Sequence, residues 1–304
     1  MNVLVTGSNG FVGKEIVKIL DSDSLSVTSL VRDGSSSDSR NKTIAIKNFH
    51  SKAEWAKVLS GVDVVIHLIA RTHHLSKMDI DTFDLYHDTN VIITRILCDA
   101  ILDSDVKKLI FMSSIKVNGE STDGNAFSEN SEENPEDNYG LTKQEAELVI
   151  RNKFNRSNKY FIIIRPPLIY GGKTKGNLNT LTKVIQKNIP LPFKCVRNAR
   201  SIVDIKTLSK FILMCVRENS IKNELFLLAE EKSYTTSELV KKIAKDNNLN
   251  SYQFCVPKFI LSIALNALGK GDLSKKLLQN LQIDSTKAVS FAKKFNNYEI
   301  FNKT

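Results

Sequence analysis

The sequence predicts an α/β protein with a doubly wound parallel sheet and a smaller, mostly helical C-terminal lobe. Three observations carry this reading. Residues 3–6 are an apolar, β-branched run that stops at a turn holding Gly7, Gly10 and Gly13, and an amphipathic segment (Phe11, Val12, Ile16, Val17, Ile19, Leu20) follows. Short apolar runs then alternate with helical patterns as far as residue 165, the order that builds parallel sheets. From there to residue 304 helical periodicity predominates.

In the opening turn Gly7 permits the sharp exit from the strand. Gly10, beside Asn9, lets backbone N–H groups approach a pyrophosphate, and Gly13 lets helix and strand pack closely. The helix N-terminus then faces the anion. The spacing is G-x-x-G-x-x-G, and its place between a strand and a helix makes it a dinucleotide-binding signal. A second strand, 25–31, ends at Arg32-Asp33. An acid at this point holds the 2′-hydroxyl of NAD, whereas an arginine accommodates the 2′-phosphate of NADP. Arg32 facing the cofactor favours NADP; the alternative is a solvated loop residue. Residues 34–40, rich in serine, read as a loop.

A short strand at 43–46 and a helix at 51–59 follow. Residues 62–70 are almost unbroken in apolar character, as expected of a central strand buried on both faces. His67 within it reads as a core histidine. Arg71, His73 and His74 open the next loop, where they meet a ligand or water. A long helix spans 80–102 with Asn90 near its middle, and the strand 108–114 ends in Ser113 and Ser114. Beyond the acidic loop 129–137 come a helix from Tyr139 to 151, a strand at 160–165 and a turn through Pro166 and Pro167. The remaining helices are expected at 177–187, 206–217, 236–245, 259–268 and 285–294, with a strand at 225–229. Thr235 and Glu238 form a capping box, and the end of the chain, 296–304, reads as frayed. These elements divide into a dinucleotide-binding domain, 1–165 plus about 196–228, and a substrate lobe, 166–195 plus 229–304.

The bulk numbers set limits. At 41% hydrophobic and 25% charged, the composition is that of a soluble globular protein. The longest apolar candidate, 259–268, contains Ser262 and Asn266 and is about half the length of a membrane span. With a strand starting at Asn2 there is no room for a signal peptide, so the expected location is cytoplasmic. Cys98, Cys195, Cys215 and Cys255 are scattered, without C-x-x-C or His/Cys clustering. They are expected as reduced thiols, and no metal site is expected. The net charge of +10 is dispersed, with no basic block interleaved with aromatics, which argues against nucleic acid. A positive field does suit a polyanionic small molecule such as a nucleotide sugar.

Tyr139-Gly-Leu-Thr-Lys143 places a phenol and an ammonium on one helix face. A nearby ammonium favours the phenolate, so the phenol is expected to shuttle a proton near neutral pH. Ser114, at the carboxyl end of its strand, can hydrogen-bond the same substrate oxygen. The joint pattern of glycine turn, serine, tyrosine and lysine is far more specific than any member alone.

With these motifs the sequence resembles the extended short-chain dehydrogenases/reductases of the NAD-dependent epimerase/dehydratase family. The carrying stretches are Thr6 to Gly13, Val65 to Ala70, Phe111 to Gly119, Tyr139 with Lys143, and Arg165 to Gly171. The resemblance implies a Rossmann-type sheet, a Ser114–Tyr139–Lys143 triad and a sugar-nucleotide substrate. It places Phe11 and Val12 beside the pyrophosphate, and Leu68, Ile69, Ala70, Arg71 and Thr89 or Asn90 near the nicotinamide. Pro167 would lie beside the ring, and Lys143 would also hold the nicotinamide ribose. Asn177 and Arg200 match the place where relatives grip the nucleotide diphosphate, and a homodimer through helices at roughly 84–102 and 139–157 is implied. Three departures stand out. Asn48-Phe49 occupies the position where many members have an acidic adenine contact, and Asn118 replaces the tyrosine of V-Y-G. Ile115-Lys116 stands where the 4,6-dehydratases have Asp-Glu, so elimination lacks its acid and base. Lys116 is then either a polar substrate contact or a solvated lysine.

The expected activity is hydride transfer at C4 of a UDP-hexose or UDP-N-acetylhexosamine, as in a UDP-glucose 4-epimerase, in surface polysaccharide synthesis. The alternative is a 4-keto reductase of a UDP-4-keto-6-deoxy-N-acetylhexosamine. A non-catalytic dinucleotide-binding sensor is the reading of another class, and the Tyr139/Lys143 pair weighs against it.

Overall fold

A computed structural model describes residues 1–32, 42–72, 80–172 and 177–301. The first half of the chain runs β1 (Asn2–Thr6), α1 (Phe11–Ser22), β2 (Ser26–Arg32), β3 (Lys42–Ile46), α2 (Lys52–Val58) and β4 (Val64–His67). It continues through α3 (Ile80–His87), α4 (Ile93–Leu102), β5 (Lys108–Met112), α5 (Asn138–Phe154) and β6 (Tyr160–Arg165). The second half holds β7 (Leu168–Tyr170), α6 (Asn177–Gln186), β8 (Ile202–Asp204), α7 (Ile205–Arg217) and β9 (Glu224–Leu227). Its last helices are α8 (Thr236–Asp246), α9 (Lys258–Ala267), α10 (Gly271–Leu278) and α11 (Thr286–Lys294).

Seven strands form one parallel sheet in the order β3-β2-β1-β4-β5-β6-β9, the doubly wound order that the alternating pattern predicts. The order reverses between β1 and β4, where Thr6 lies opposite His67. This switch point opens a cleft at the carboxyl edge, the place where such sheets bind ligands. Side chains from both faces are buried because helices cover both. Trp55, Leu97, Ile150 and Phe154 build the core under α2, α4 and α5. Ile16, Leu20, Phe211 and Ala292 build the other, under α1, α7 and α11. A third, smaller core joins Tyr170, Phe193, Leu239 and Ile243 in the lobe.

Four findings differ from the sequence reading. The apolar run 62–70 yields only four strand residues, because Leu68–Ala70 leave the ladder to form the cleft wall. The helix at 80–102 carries a π-helical turn, Asp88–Ile92, at Asn90. Cys195 and Cys255 are not free thiols: the segments around Leu191 and Gln253 pair as backbone bridges, bringing the two Cα atoms to 5.0 Å in a disulfide. Cys98 and Cys215 are free and buried. Finally, α11 packs Phe291 on Phe226 of β9, with ring centroids 5.0 Å apart, so this part of 229–304 joins the sheet rather than the lobe. The pair β7–β8 and helix α10 carried no clear sequence signal.

Candidate active site

The glycine turn is built as a phosphate cradle. Gly7 has φ of 67°, the left-handed region that favours glycine. A Cβ on Gly13 would sit 2.3 Å from the Gly7 carbonyl oxygen and 2.8 Å from Ser8 Cα, so α1 can approach β1 only without a side chain there. Gly10 caps α1 with no side-chain acceptor, and the first turn carries no acid. The leading N–H groups are therefore left to an external anion. These features fit a dinucleotide pyrophosphate, with Asn9, Phe11 and Val12 lining the turn. At the end of β2 Arg32 is exposed on the carboxyl edge; its neighbour Asp33 lies outside the described residues.

The wall after β4 is held from behind. Asn90, buried at the π-helical turn, accepts a hydrogen bond from Arg71 N–H at 2.8 Å and donates to the Arg71 carbonyl at 3.3 Å. It also donates to Thr142 Oγ1 at 3.0 Å. Both amide hydrogens are thus spent on protein, and Asn90 fixes the loop 68–71 from behind. Thr89, on the same turn, is half-buried.

His67 is the core histidine the sequence suggests. Thr94 Oγ1 gives its hydrogen to the Asn90 carbonyl at 2.7 Å, so it accepts from His67 Nε2 at 3.0 Å. Thr6 Oγ1 accepts from Leu68 N–H at 3.1 Å and donates to Nδ1 at 2.8 Å. The ring is neutral; burial, aided by the Lys143 charge, pushes its pKa down to about 3.

Ser114, Tyr139 and Lys143 come together across β5 and α5. Ser114 sits where β5 turns into a 3-10 turn, Ile115–Val117, and its hydroxyl accepts from Lys116 N–H at 3.3 Å. Tyr139, at the start of α5, has its phenol close enough to Ser114 for that hydroxyl to act on its pKa. One helical turn on, Lys143 is 1% exposed and donates to the Met112 carbonyl at 2.7 Å, with Nζ 4.4 Å from the Phe111 ring centroid. The expected lowering of the phenol by this ammonium is not what the site shows. Burial pushes the Tyr139 phenol up and the Asp137 carboxylate adds to it, with the nearby Ser114 hydroxyl offsetting part. Lys143 instead absorbs the cost itself: burial pulls its pKa down to about 7, against the pull of Glu147.

Lys116 is neither solvated nor free. It pairs with Glu120 and with Asp137, the residue that also caps α5 by accepting from Gly140 N–H at 2.7 Å. These carboxylates hold its pKa up against burial. Arg200 donates to the Gln279 carbonyl at 3.0 Å and feels the Glu120 charge, while burial lowers its pKa to about 10. Through Glu120, Arg200 lies on the Lys116 side of the cleft. Pro167 is buried beside the same turn, its neighbour Pro166 accepting from Ile115 N–H at 3.0 Å. Asn48 and Phe49 stand at the far end: Asn48 Oδ1 accepts from His50 N–H at 2.9 Å, and Phe49 leans on Trp55, with centroids 5.8 Å apart. His73 lies outside the described residues; Asn177 opens α6.

Four residues that the sequence reading passed over support this site. Arg165, at the end of β6, is fully buried, and it pairs with Glu147 and Glu133 and donates to Asn118 Oδ1 at 2.9 Å. Ser113 donates to Glu147 at 2.5 Å. Gly140 lets α5 touch the Ser114 turn, since a Cβ there would stand 2.6 Å from the Lys116 carbonyl oxygen. The position of Glu147, one turn beyond Lys143 on the same face, is the one signal the sequence offered for any of them.

A phosphate-cradling switch point with a serine, tyrosine and lysine beside it defines a dinucleotide-dependent α/β enzyme. Within that class the chain belongs to the NAD dependent epimerase/dehydratase family, which residues 3–226 match. It is 34% identical to a UDP-glucose 4-epimerase of Vibrio cholerae over 287 residues, 93% of this chain and 87% of that protein. It is 27% identical to an N-acetyl-alpha-D-glucosaminyl-diphospho-ditrans,octacis-undecaprenol 4-epimerase of Escherichia coli O157:H7, over 88% of this chain and 77% of that one. The fold matches the UDP-glucose 4-epimerase of Thermotoga maritima, solved with UDP-glucose, at a TM-score of 0.76 and 19% identity, covering 95% and 92% of the two chains.

Proposed function

We propose that the protein is a cytoplasmic sugar-nucleotide 4-epimerase acting at C4 of a UDP-hexose or UDP-N-acetylhexosamine in surface polysaccharide synthesis. The observation that carries the reading is the placement of Tyr139 one helical turn from buried Lys143 on α5, with Ser114 beside the phenol at the end of β5. The names of the relatives from V. cholerae and E. coli O157:H7 support the same position of attack.

The nicotinamide, when bound, accepts and returns a hydride. Everything else falls to this chain. Ser114 and Tyr139 hold the sugar's O4; the fraction of Tyr139 present as phenolate takes its proton as C4 is oxidised, and the resulting phenol restores it as C4 is reduced. Lys143, balanced near neutrality, adjusts the phenol and reaches the nicotinamide ribose. Gly7, Gly10 and Gly13 seat the pyrophosphate, while Asn90 fixes the Leu68–Arg71 wall. Arg200 and Lys116 face the substrate's diphosphate and sugar, with Asn177 and His73 as further substrate contacts. An epimerase holds its nucleotide and lets the keto sugar turn its other face. We also assign a homodimer through the α3–α4 segment and α5, where Leu85 of α3 and Leu148 of α5 are 43% and 50% exposed.

A second reading has two observations of its own. Arg32 ends β2, where it suits the 2′-phosphate of NADP. The phenol pushed up by burial stands protonated, the form that delivers a proton to a C4 carbonyl oxygen. Both favour a 4-keto reductase. The test is to denature purified protein, identify any nucleotide released, and incubate native protein with UDP-glucose and UDP-N-acetylglucosamine. Released NAD with interconversion of 4-epimers and no net cofactor turnover supports the epimerase. Nucleotide-free protein that oxidises NADPH only with a 4-keto sugar nucleotide supports the reductase. Inertness in both assays refutes both.

A further inference from the structure

Helix α9 has no buried residue, although it is the most apolar helix of the lobe. From Phe259 to Gly269 the chain carries no charge. Leu261 and Leu265 lean on the lobe core through one side. The other side turns outward, with Phe259 and Ile263 each 65% exposed and Leu268 at 70%. Phe259, Ile263 and Ala267 follow at four-residue spacing, so they lie along one line of the helix. Beside them the strand-like segment that reaches Cys255 adds Tyr252 and Phe254, 54% and 48% exposed. An apolar surface this continuous marks a docking site rather than scattered exposure.

Its surroundings select the occupant. Segments 177–195 and 247–271 are tied together by the Cys195–Cys255 disulfide and by bridges at Leu191–Gln253 and Phe193–Cys255. Together they contain Lys183, Lys187, Lys194, Lys258 and Lys270, all exposed, and no carboxylate at all. The nearest acids, Asp246 and Asp272, fall just outside. Ten helical residues are about half of what a bilayer span needs. A short helix with an aromatic and aliphatic face and lysines at its ends instead lies in the headgroup plane. Lysines near such a plane are drawn to anionic lipid, which complements the +10 charge of the chain.

We propose that the exposed face of α9, with Tyr252, Phe254 and the flanking lysines, docks the protein on a bilayer surface containing anionic lipids. The contact is peripheral and reversible, and it is independent of the chemistry in the cleft.

The test is sedimentation of the full chain with vesicles of phosphatidylglycerol and phosphatidylethanolamine, against vesicles of phosphatidylcholine alone. Binding is expected to the anionic vesicles, with a fall of at least about tenfold when salt is raised well above physiological strength. Phe259→Ser/Ile263→Ser is expected to weaken it by roughly tenfold or more, as is Lys258→Glu/Lys270→Glu. These side chains are exposed, so both variants are expected to keep the parent's melting temperature and its turnover of a soluble UDP-sugar. Parent protein that stays in the supernatant overturns the proposal, as does equal binding by the variants. Light scattering that shows an oligomer dissociating in Phe259→Ser/Ile263→Ser also overturns it, because a second copy would then cover the face.

Discussion

Arg165 and Glu147 form a buried bidentate pair beneath the Ser114 turn: Nε to Oε1 is 2.8 Å, Nη2 to Oε2 is 2.7 Å, and both side chains are at most 2% exposed. The pair links β6 to α5 on the helix face that carries Lys143. A buried ion pair costs much when one partner is lost, because the other is left charged without water. Glu147→Gln is expected to lower unfolding stability by about 3–5 kcal/mol, measured by denaturant titration. Arg165→Met/Glu147→Met, which removes both charges, is expected to recover a large part of it. A double variant as unstable as the two single losses combined would contradict this account.

Gly140 controls how closely Tyr139 approaches Ser114. In Gly140→Ala the new Cβ meets the Lys116 carbonyl oxygen at 2.6 Å and Pro135 Cβ at 3.1 Å, so the start of α5 must lift. The stability loss is expected to be about 1–3 kcal/mol. Turnover is expected to fall by roughly 10–100-fold, because a small misplacement of a reacting group is costly. A kcat equal to the parent's would show that the contact does not set the geometry.

Lys143 links the site to pH. Its folded pKa of about 7 lies below the unfolded value of 10.5, so between these values the unfolded chain binds more protons. Through this group stability therefore rises as pH rises from about 7 to about 10.5, and is constant below that window. Lys143→Met is expected to remove this component, so that its unfolding free energy varies less with pH across the window. Its stability at neutral pH is expected to equal or exceed the parent's, with turnover lost. Identical pH slopes for parent and variant would contradict the burial-driven shift.

The sheet order was legible because alternating apolar runs and helical patterns leave few topologies, and Gly7, Gly10 and Gly13 located the cradle at once. The triad was legible because Tyr139 and Lys143 are close in sequence. What escaped depends on distance. The Cys195–Cys255 link spans 60 residues, and only the bridging of two irregular segments brings its ends together. Arg165, Glu147, Asn118 and Glu133 meet from four separate elements, so no local pattern announced them. The behaviour of Tyr139 also escaped, since the lysine spacing suggested a lowered phenol while burial, invisible in sequence, pushes it up. Helix α9 was legible as an apolar helix, yet nothing in its pattern told that its larger face points outward.

The most direct test compares Tyr139→Phe with the parent for turnover of a UDP-sugar and, separately, for nucleotide binding. The hydroxyl alone is removed, so nucleotide affinity is expected to stay within about threefold while turnover falls by roughly 100- to 10,000-fold. Undiminished turnover by Tyr139→Phe would contradict the assignment of the proton shuttle and, with it, the reading of the cleft.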